Sequence, residues 1–205
     1  MLEVVDLECT RGDRRLFSRL NFSLERETLL HVQGRNGSGK TTLLRAICGL
    51  LQPQEGEIRW NGASIRKLKE DYCREVVYLG HLNGIKNDLT GIENLRVAAT
   101  LDGDEVRDSA VWEALRVMGL AGFEDLPTRM LSQGQKKRVA LARLVLSSAA
   151  LWVLDEPFTA LDVAAVDLLE SLIAGHVNQG GMVIMTTHQE VSLTSGQIRR
   201  LKLGD

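Results

Sequence analysis

The chain has 205 residues, of which 44% are hydrophobic and 25% are charged, and its formal net charge at pH 7 is −2. This length and apolar content predict one globular domain with a sizeable core, and the near-neutral charge gives no electrostatic case for a nucleic-acid-binding protein. The three cysteines, Cys9, Cys48 and Cys73, follow no metal-binding spacing and are typical of a reducing compartment. No run approaches the ~18 apolar residues of a membrane helix, and the first residues lack the basic start and apolar stretch expected of a signal peptide.

The first part of the chain is predicted to be rich in β-strands and to contain a phosphate-binding loop. Roughly alternating apolar residues predict strands over 2–7 and 16–24. A third apolar run, 29–33, leads into the segment 34–42, G-R-N-G-S-G-K-T-T, which has the G-x-x-x-x-G-K-T spacing of a P-loop. Apolar residues at helical spacing then predict a helix over 40–50.

The residue types of this loop suit a phosphate group. Its glycines let the backbone turn so that several N–H groups converge on an anion, and the following helix adds the positive end of its dipole. Lys40 is predicted to reach the β- and γ-phosphates and to assist catalysis, and the Thr41 hydroxyl is placed to hold Mg²⁺. The predicted nucleotide-binding residues here are Gly34, Arg35, Asn36, Gly37, Ser38, Gly39, Lys40, Thr41 and Thr42. The alternative is a glycine-rich turn that binds no ligand.

Strands and helices alternate along the rest of the chain. Short strands are predicted at 57–60 and 76–79, whereas the apolar spacing over 89–122 is helical. The remaining predicted elements are a helix over 132–147, a strand over 151–154, a helix over 163–176, a strand over 182–185 and an edge strand over 198–203.

This order of elements predicts an α/β fold with a mainly parallel sheet, helices on both of its faces and an N-terminal antiparallel β part. The helical stretch of about 85–148 interrupts the alternation and is predicted to form an inserted lobe. We therefore expect a single domain over 1–205, with a core formed by 1–84 and 149–205.

Two carboxylates follow the apolar run 151–154. The carboxyl end of a strand is the edge of an open α/β sheet where ligands bind. Asp155 is therefore placed to hold Mg²⁺, and Glu156 is placed to polarise the water that attacks a γ-phosphate. The alternative is a solvated strand end that caps the next helix.

A second anion site is predicted at the start of the helix over 132–147. Ser132 is a suitable helix N-cap, and the following glycine leaves backbone N–H groups accessible to an anion. This site is far in sequence from the P-loop and would be redundant if one chain bound one phosphate group. The alternative is an ordinary helix N-cap.

Residues 131–135, Leu-Ser-Gln-Gly-Gln, resemble the signature Leu-Ser-Gly-Gly-Gln of the nucleotide-binding subunits of ABC transporters, from which Gln133 departs at the third position. The resemblance implies a P-loop NTPase fold of the ABC type that hydrolyses ATP with Mg²⁺. It also implies a homodimer in which Ser132, Gly134 and Gln135 of one subunit close over ATP held by the P-loop of the other.

Two further segments resemble pieces of the same family. Residues 160–162, Ala-Leu-Asp, resemble the D-loop, which joins the two subunits. Residues 186–188, Thr-Thr-His, resemble the end of the strand that carries the switch histidine, so His188 is expected to contact the γ-phosphate. A histidine that is only structural is the alternative. The basic residues between 136 and 143 are interpreted as a charged face that is solvated or paired within the domain.

Two positions depart from the family pattern. His81 stands where the family has the Q-loop glutamine, and its imidazole would contact a water or the Mg²⁺ ligand shell. Arg11 stands near the position of the aromatic residue that stacks on adenine, and a planar guanidinium can also stack on a base. Both the family role and an ordinary exposed side chain remain open at these positions.

Four other segments, 80–86, 89–95, 119–127 and 179–189, resemble the ATP-binding subunit of the cytochrome c maturation (haem exporter) ABC complex. This resemblance implies a separate integral membrane permease subunit as partner and haem-delivery proteins as indirect partners, without nucleic acid. It also implies a peripheral position on the cytoplasmic face of the bacterial inner membrane. The alternatives are another ABC transporter, a soluble ABC-type ATPase without a membrane partner, and a nucleotide sensor with a degenerate site.

Overall fold

The structure is a computed structural model, and it describes residues 1–103, 105–187 and 196–204. The strands are β1 (Leu2–Arg11), β2 (Arg14–Leu24), β3 (Thr28–Gln33), β4 (Glu55–Trp60), β5 (Ala63–Ser64), β6 (Val76–Leu79), β7 (Leu151–Asp155), β8 (Met182–Thr186) and β9 (Gln197–Lys202). The helices are α1 (Lys40–Ile47), α2 (Ile65–Leu68), α3 (Glu70–Arg74), α4 (Gly91–Asp102), α5 (Asp108–Val117), α6 (Gln133–Leu146) and α7 (Val163–Asn178), with a short 3₁₀ turn at Thr128–Met130.

The strands form two sheets. An antiparallel sheet has the order β2-β1-β4-β5, and a parallel sheet has the order β6-β7-β8-β3-β9. All residues of β7 and β8 are buried, as expected for parallel strands that are covered on both faces. The predicted α/β fold with a mainly parallel sheet and an N-terminal antiparallel part is therefore confirmed.

Alternate residues of the central strands enter two hydrophobic clusters. Trp152 and Leu154 of β7 pack into the cluster that contains α4, α5, α6 and α7, whereas Leu151 and Val153 pack with α1 and the antiparallel sheet. The parallel sheet thus separates the helical side of the molecule from the side that carries α1.

The register of the parallel sheet brings three strand ends together. Asp155 at the end of β7 pairs with Thr186 at the end of β8, and Thr186 pairs with Val32 near the end of β3. The loop 34–39 follows β3 directly. The residues that follow the carboxyl ends of these strands therefore lie at one edge of the sheet.

Several boundaries differ from the predicted ones. Helix α1 ends at Ile47 and not at residue 50, because Gly49 adopts a left-handed backbone conformation with φ of +71°. The helical stretch 89–122 is divided into α4 and α5, and Gly103 ends α4 with φ of +84°. The short helices α2 and α3 were not predicted, since four or five residues are too few to show a helical period. Within the described residues, no helix has both the length and the apolar character that a membrane span requires.

Candidate nucleotide-binding site

Two glycines of the P-loop lie where close packing leaves no room for a side chain. At Gly34, where φ is +153°, an added Cβ would lie 2.5 Å from Ser38 Oγ and 2.6 Å from the Leu203 carbonyl oxygen. Gly39 is the N-cap of α1 with φ of +101°, and an added Cβ there would lie 3.1 Å from Phe17. Both positions therefore need a residue without a side chain, which agrees with the tight turn that the G-x-x-x-x-G-K-T spacing predicts.

The polar side chains of the loop fit a phosphate group. Lys40 Nζ donates hydrogen bonds to the carbonyl oxygens of Gly34 at 2.7 Å and Arg35 at 3.4 Å, so the ammonium lies inside the loop. Ser38 Oγ is buried and has no hydrogen-bond partner among the residues that the structure describes. A buried hydroxyl without a partner is costly, and a phosphate oxygen would supply the missing partner.

Asp155 is the centre of a buried hydrogen-bond network. Its side chain accepts a bond from Thr41 Oγ1 on Oδ2 at 2.8 Å and from Thr186 Oγ1 on Oδ1 at 2.7 Å. Asp155 is only 3% exposed, and bonds between a hydroxyl and a carboxylate are stronger than neutral ones. The network joins the first turn of α1 to the ends of β7 and β8.

This network has the donor chemistry of a Mg²⁺ site. Hydroxyl and carboxylate oxygens are hard ligands, and Mg²⁺ is usually held by few protein oxygens together with phosphate oxygens and water. Thr41 and Asp155 meet that description. No group of three or more His, Cys, Asp and Glu side chains that could hold a metal occurs within residues 1–103, 105–187 and 196–204.

Glu156 is held by the backbone that follows β7. Its N–H donates to Thr186 Oγ1 at 3.0 Å and to the Thr186 carbonyl oxygen at 3.2 Å, and its φ is +52°, in the left-handed region. The Thr186 hydroxyl thus bonds both to the Asp155 carboxylate and to the Glu156 backbone. Sequence reasoning gave Thr186 no role of its own, because a threonine at a strand end is also a common β residue.

One cleft of about 430 Å³ contains most of the predicted site. Arg11 and His81, both predicted with open alternatives, line it together with the P-loop. The full lining is Arg11, Leu16, Asn36, Gly37, Gly39, Lys40, Thr41, Thr42, His81, Asp155, Glu156 and Thr159. Leu16 and Thr159 were not predicted, and His188 lies outside the described residues.

The signature residues, 131–135, are all described by the structure and do not line this cleft. Ser132 Oγ accepts from the Gln135 N–H at 3.2 Å, while Gln135 Oε1 accepts from the Ser132 N–H at 2.9 Å. This reciprocal pair is a capping box, so the predicted N-cap is formed. An added Cβ at Gly134 would lie 3.1 Å from the Ala160 carbonyl oxygen, which places the signature against the D-loop of the same chain.

The basic residues that follow the signature are paired within the chain. Arg138 Nη2 donates to both oxygens of the Asp162 carboxylate, each at 2.6 Å. Arg143 pairs with Asp102 at 3.1 Å, and Lys136 donates to Asn87. For Lys136, Arg138 and Arg143, the predicted pairing of this basic face within the domain is confirmed.

The Thr186 hydroxyl is expected to stabilise the fold through its hydrogen bond to the Asp155 carboxylate. We expect Thr186→Val to lower the free energy of unfolding by about 2 kcal/mol, because a buried carboxylate loses a donor. Thr28→Val is the matched control, since Thr28 is also buried in the parallel sheet but its hydroxyl donates only to the Arg26 carbonyl oxygen. Urea unfolding of both variants measures the difference, and equal losses would contradict the assigned network.

Comparisons with known proteins agree with this geometry. The sequence model of the ABC transporter family matches residues 17–159. The chain is 56% identical over 204 residues to the cytochrome c biogenesis ATP-binding export protein CcmA of Dechloromonas aromatica, covering 100% of both chains. It is 48% identical to the protein of that name from Vibrio cholerae, covering 100% of this chain and 99% of the relative.

Solved structures agree on the fold. A putative ABC transporter ATP-binding protein from Pyrococcus furiosus has a TM-score of 0.83 and 29% identity, covering 98% of this chain and 96% of that one. A dimeric ATP-binding cassette bound to ADP and Pi has a TM-score of 0.86 at 21% identity, covering 100% and 97%, and shows likeness of fold alone. Together with the P-loop and the Asp155 network, these matches show that the chain belongs to the ABC transporter ATP-binding family and, within it, to the cytochrome c biogenesis ATP-binding export proteins.

Proposed function

We propose that this chain is the ATP-hydrolysing subunit of a membrane-bound ABC complex that acts in c-type cytochrome maturation, by haem export or by release of a haem chaperone. The observation that carries the proposal is the convergence of the P-loop, Asp155 and Glu156 on one cleft. The relatives that are named as cytochrome c biogenesis ATP-binding export proteins match over the full length of the chain, which supports the finer assignment.

The substrate would be MgATP, and each part of the cleft has a distinct role in binding it. Lys40 and the N–H groups of the loop would hold the β- and γ-phosphates. Thr41 and Asp155 would hold the Mg²⁺ that accompanies ATP, and this ion would neutralise charge on the phosphates. Arg11 would stack on the adenine, and His81 would contact the ligand shell of the ion.

Hydrolysis would depend on Glu156 and on the switch histidine. Glu156 lines the cleft beside Asp155 and Lys40, where its carboxylate would orient a water for attack on the γ-phosphate. His188, expected from the resemblance, would donate a hydrogen bond to the same phosphate. Phosphoryl transfer needs positioning and charge neutralisation more than covalent chemistry, and this set of side chains provides both.

A homodimer would complete the site. Ser132, Gly134 and Gln135 carry the second anion site but lie outside the cleft of their own chain. Two copies that face each other would place each signature over the ATP held by the opposite P-loop. ATP would then favour the closed dimer, because only that state uses both anion sites.

The same subunit would act at the cytoplasmic face of the bacterial inner membrane through an integral permease subunit. The helical lobe, about 85–148, would lie toward that partner and transmit closure of the core, 1–84 and 149–205. Residues near 82–97 would form the contact, and Leu82 in this region is 85% exposed. Haem-delivery proteins would be reached through the permease, and no nucleic acid is required.

The proposed role of Glu156 is tested by Glu156→Gln. We expect this variant to bind ATP with unchanged affinity but to lose about 100-fold in hydrolysis rate, since water is no longer activated. It should therefore persist as an ATP-bound dimer in gel filtration with MgATP. Lys40→Ala is the control and should form no dimer, because the phosphates lose a positive charge. A Glu156→Gln protein that stays monomeric at saturating MgATP would refute the proposal.

The membrane partner is tested by sedimentation. We expect the chain to sediment with inner-membrane vesicles that contain the permease subunit of its complex, and to remain in the supernatant with vesicles that lack this subunit. Vesicles of the same lipids without protein are the control for direct lipid binding. Equal binding to all three preparations, or to none of them, would contradict a specific integral partner and would favour a soluble ABC-type ATPase.

A further inference from the structure

We propose that Lys137 is a positioning residue for Glu156: its ammonium holds the backbone of that residue from the helix that carries the signature. The inference rests on the proposed function, because it concerns the residue that would orient the attacking water. Lys137 lies in the second turn of α6, two positions after Gln135.

Lys137 is buried although it is a lysine. It is 5% exposed, whereas lysines are almost never buried without a partner. Its Nζ lies 3.5 Å from the Glu156 carbonyl oxygen, at the outer limit of a hydrogen bond. The neighbouring Lys136 is partly exposed and donates to Asn87. The two adjacent lysines therefore have different environments, and only Lys137 lies against the acidic strand end.

The charges that act on the Lys137 ammonium come from the two carboxylates at the end of β7, Asp155 and Glu156. Burial lowers the pKa of its ammonium, and the negative charges of Asp155 and Glu156 oppose this effect. A buried charge is tolerated when opposite charges compensate for lost hydration. The side chains that offset part of this loss are the proposed Mg²⁺ ligand, Asp155, and the proposed catalytic carboxylate, Glu156.

The backbone that Lys137 contacts needs support. Glu156 and Ala160 both have φ in the left-handed region, +52° and +65°, where residues with a side chain are disfavoured. Such conformations persist when surrounding contacts enforce them. The Glu156 N–H is held by Thr186, and Lys137 holds the carbonyl on the other side of the same residue. Both contacts hold the backbone from which the Glu156 side chain extends.

This placement would link the two halves of a dimer. Helix α6 begins at the signature, which would contact the ATP of the opposite subunit, and it carries Lys137, which contacts Glu156 of its own subunit. A shift of α6 when the dimer closes would therefore displace the backbone of Glu156. Small displacements of a catalytic group are costly, since about 1 Å can reduce a rate by about 100-fold.

The test compares Lys137→Met, Lys137→Arg and the matched control Lys136→Met. We expect Lys137→Met to bind ATP within about twofold of the wild type by calorimetry, while kcat falls by about 10- to 100-fold and KM changes little. Lys137→Arg should recover most of kcat because it keeps the cation and its donors. Lys136→Met should behave as the wild type. The Lys137→Met protein should also persist as an ATP-bound dimer, like Glu156→Gln.

Several results would overturn the inference. They are a wild-type kcat for Lys137→Met, a Lys137→Arg variant as slow as Lys137→Met, or a Lys136→Met variant with the same loss. If Lys137→Met does not fold, Lys137→Gln replaces it, and loss of ATP binding in both would assign Lys137 a structural role only. If Glu156→Gln does not form a dimer with MgATP, both the proposed function and this inference would be refuted. If Glu156→Gln forms the ATP-bound dimer and Lys137→Met does not, this inference alone would be refuted.

Discussion

The carboxylate of Asp155 joins the parts of the site that the chain brings from distant positions. Thr41 at the start of α1 and Thr186 at the end of β8 both donate to it. The three residues are more than 30 positions apart in sequence. Asp155 and Thr186 are brought together by the pairing of β7 with β8, and Thr41 lies at the start of the helix that follows β3. Because the carboxylate is buried, its two hydroxyl donors are needed to offset the loss of water. The network thereby holds the start of α1, which follows the loop 34–39, beside the strand end that leads into Glu156.

The second feature that organises the molecule is helix α6. Its N-terminus carries the exposed capping box of Ser132 and Gln135, Gly134 packs against Ala160, and Arg138 pairs with Asp162. The helix therefore contacts the segment after β7 at several points, although it belongs to the helical part of the chain. Motion of this helix relative to the parallel sheet would reach the acidic residues directly, which is the coupling that a transport ATPase requires.

Much of this arrangement could be predicted from the sequence, for identifiable reasons. The P-loop spacing places glycines where the backbone turns with positive φ, and short apolar runs such as 151–154 and 182–185 are typical of parallel strands that are covered on both faces. The environment of Lys137 was not predicted, because the basic residues between 136 and 143 were interpreted together as one face that is solvated or paired within the domain. The helical spacing could have indicated that Lys137 is buried. It precedes Ala140, Leu141 and Leu144 by three, four and seven positions, so it lies on the same buried face of α6 as these residues. Thr186 was missed because its partner, Asp155, becomes adjacent only through the strand register.

The central claim is that each chain carries two separate anion-binding loops, which meet one nucleotide only between copies. It is tested most directly by mixing two inactive variants, Lys40→Ala with a damaged P-loop and Ser132→Arg with a damaged signature. Neither should hydrolyse ATP alone. An equal mixture should regain phosphate release, up to about half of the wild-type rate, because only mixed dimers contain an intact site and each of them has one intact site of two. A mixture no more active than the separate variants would contradict the account.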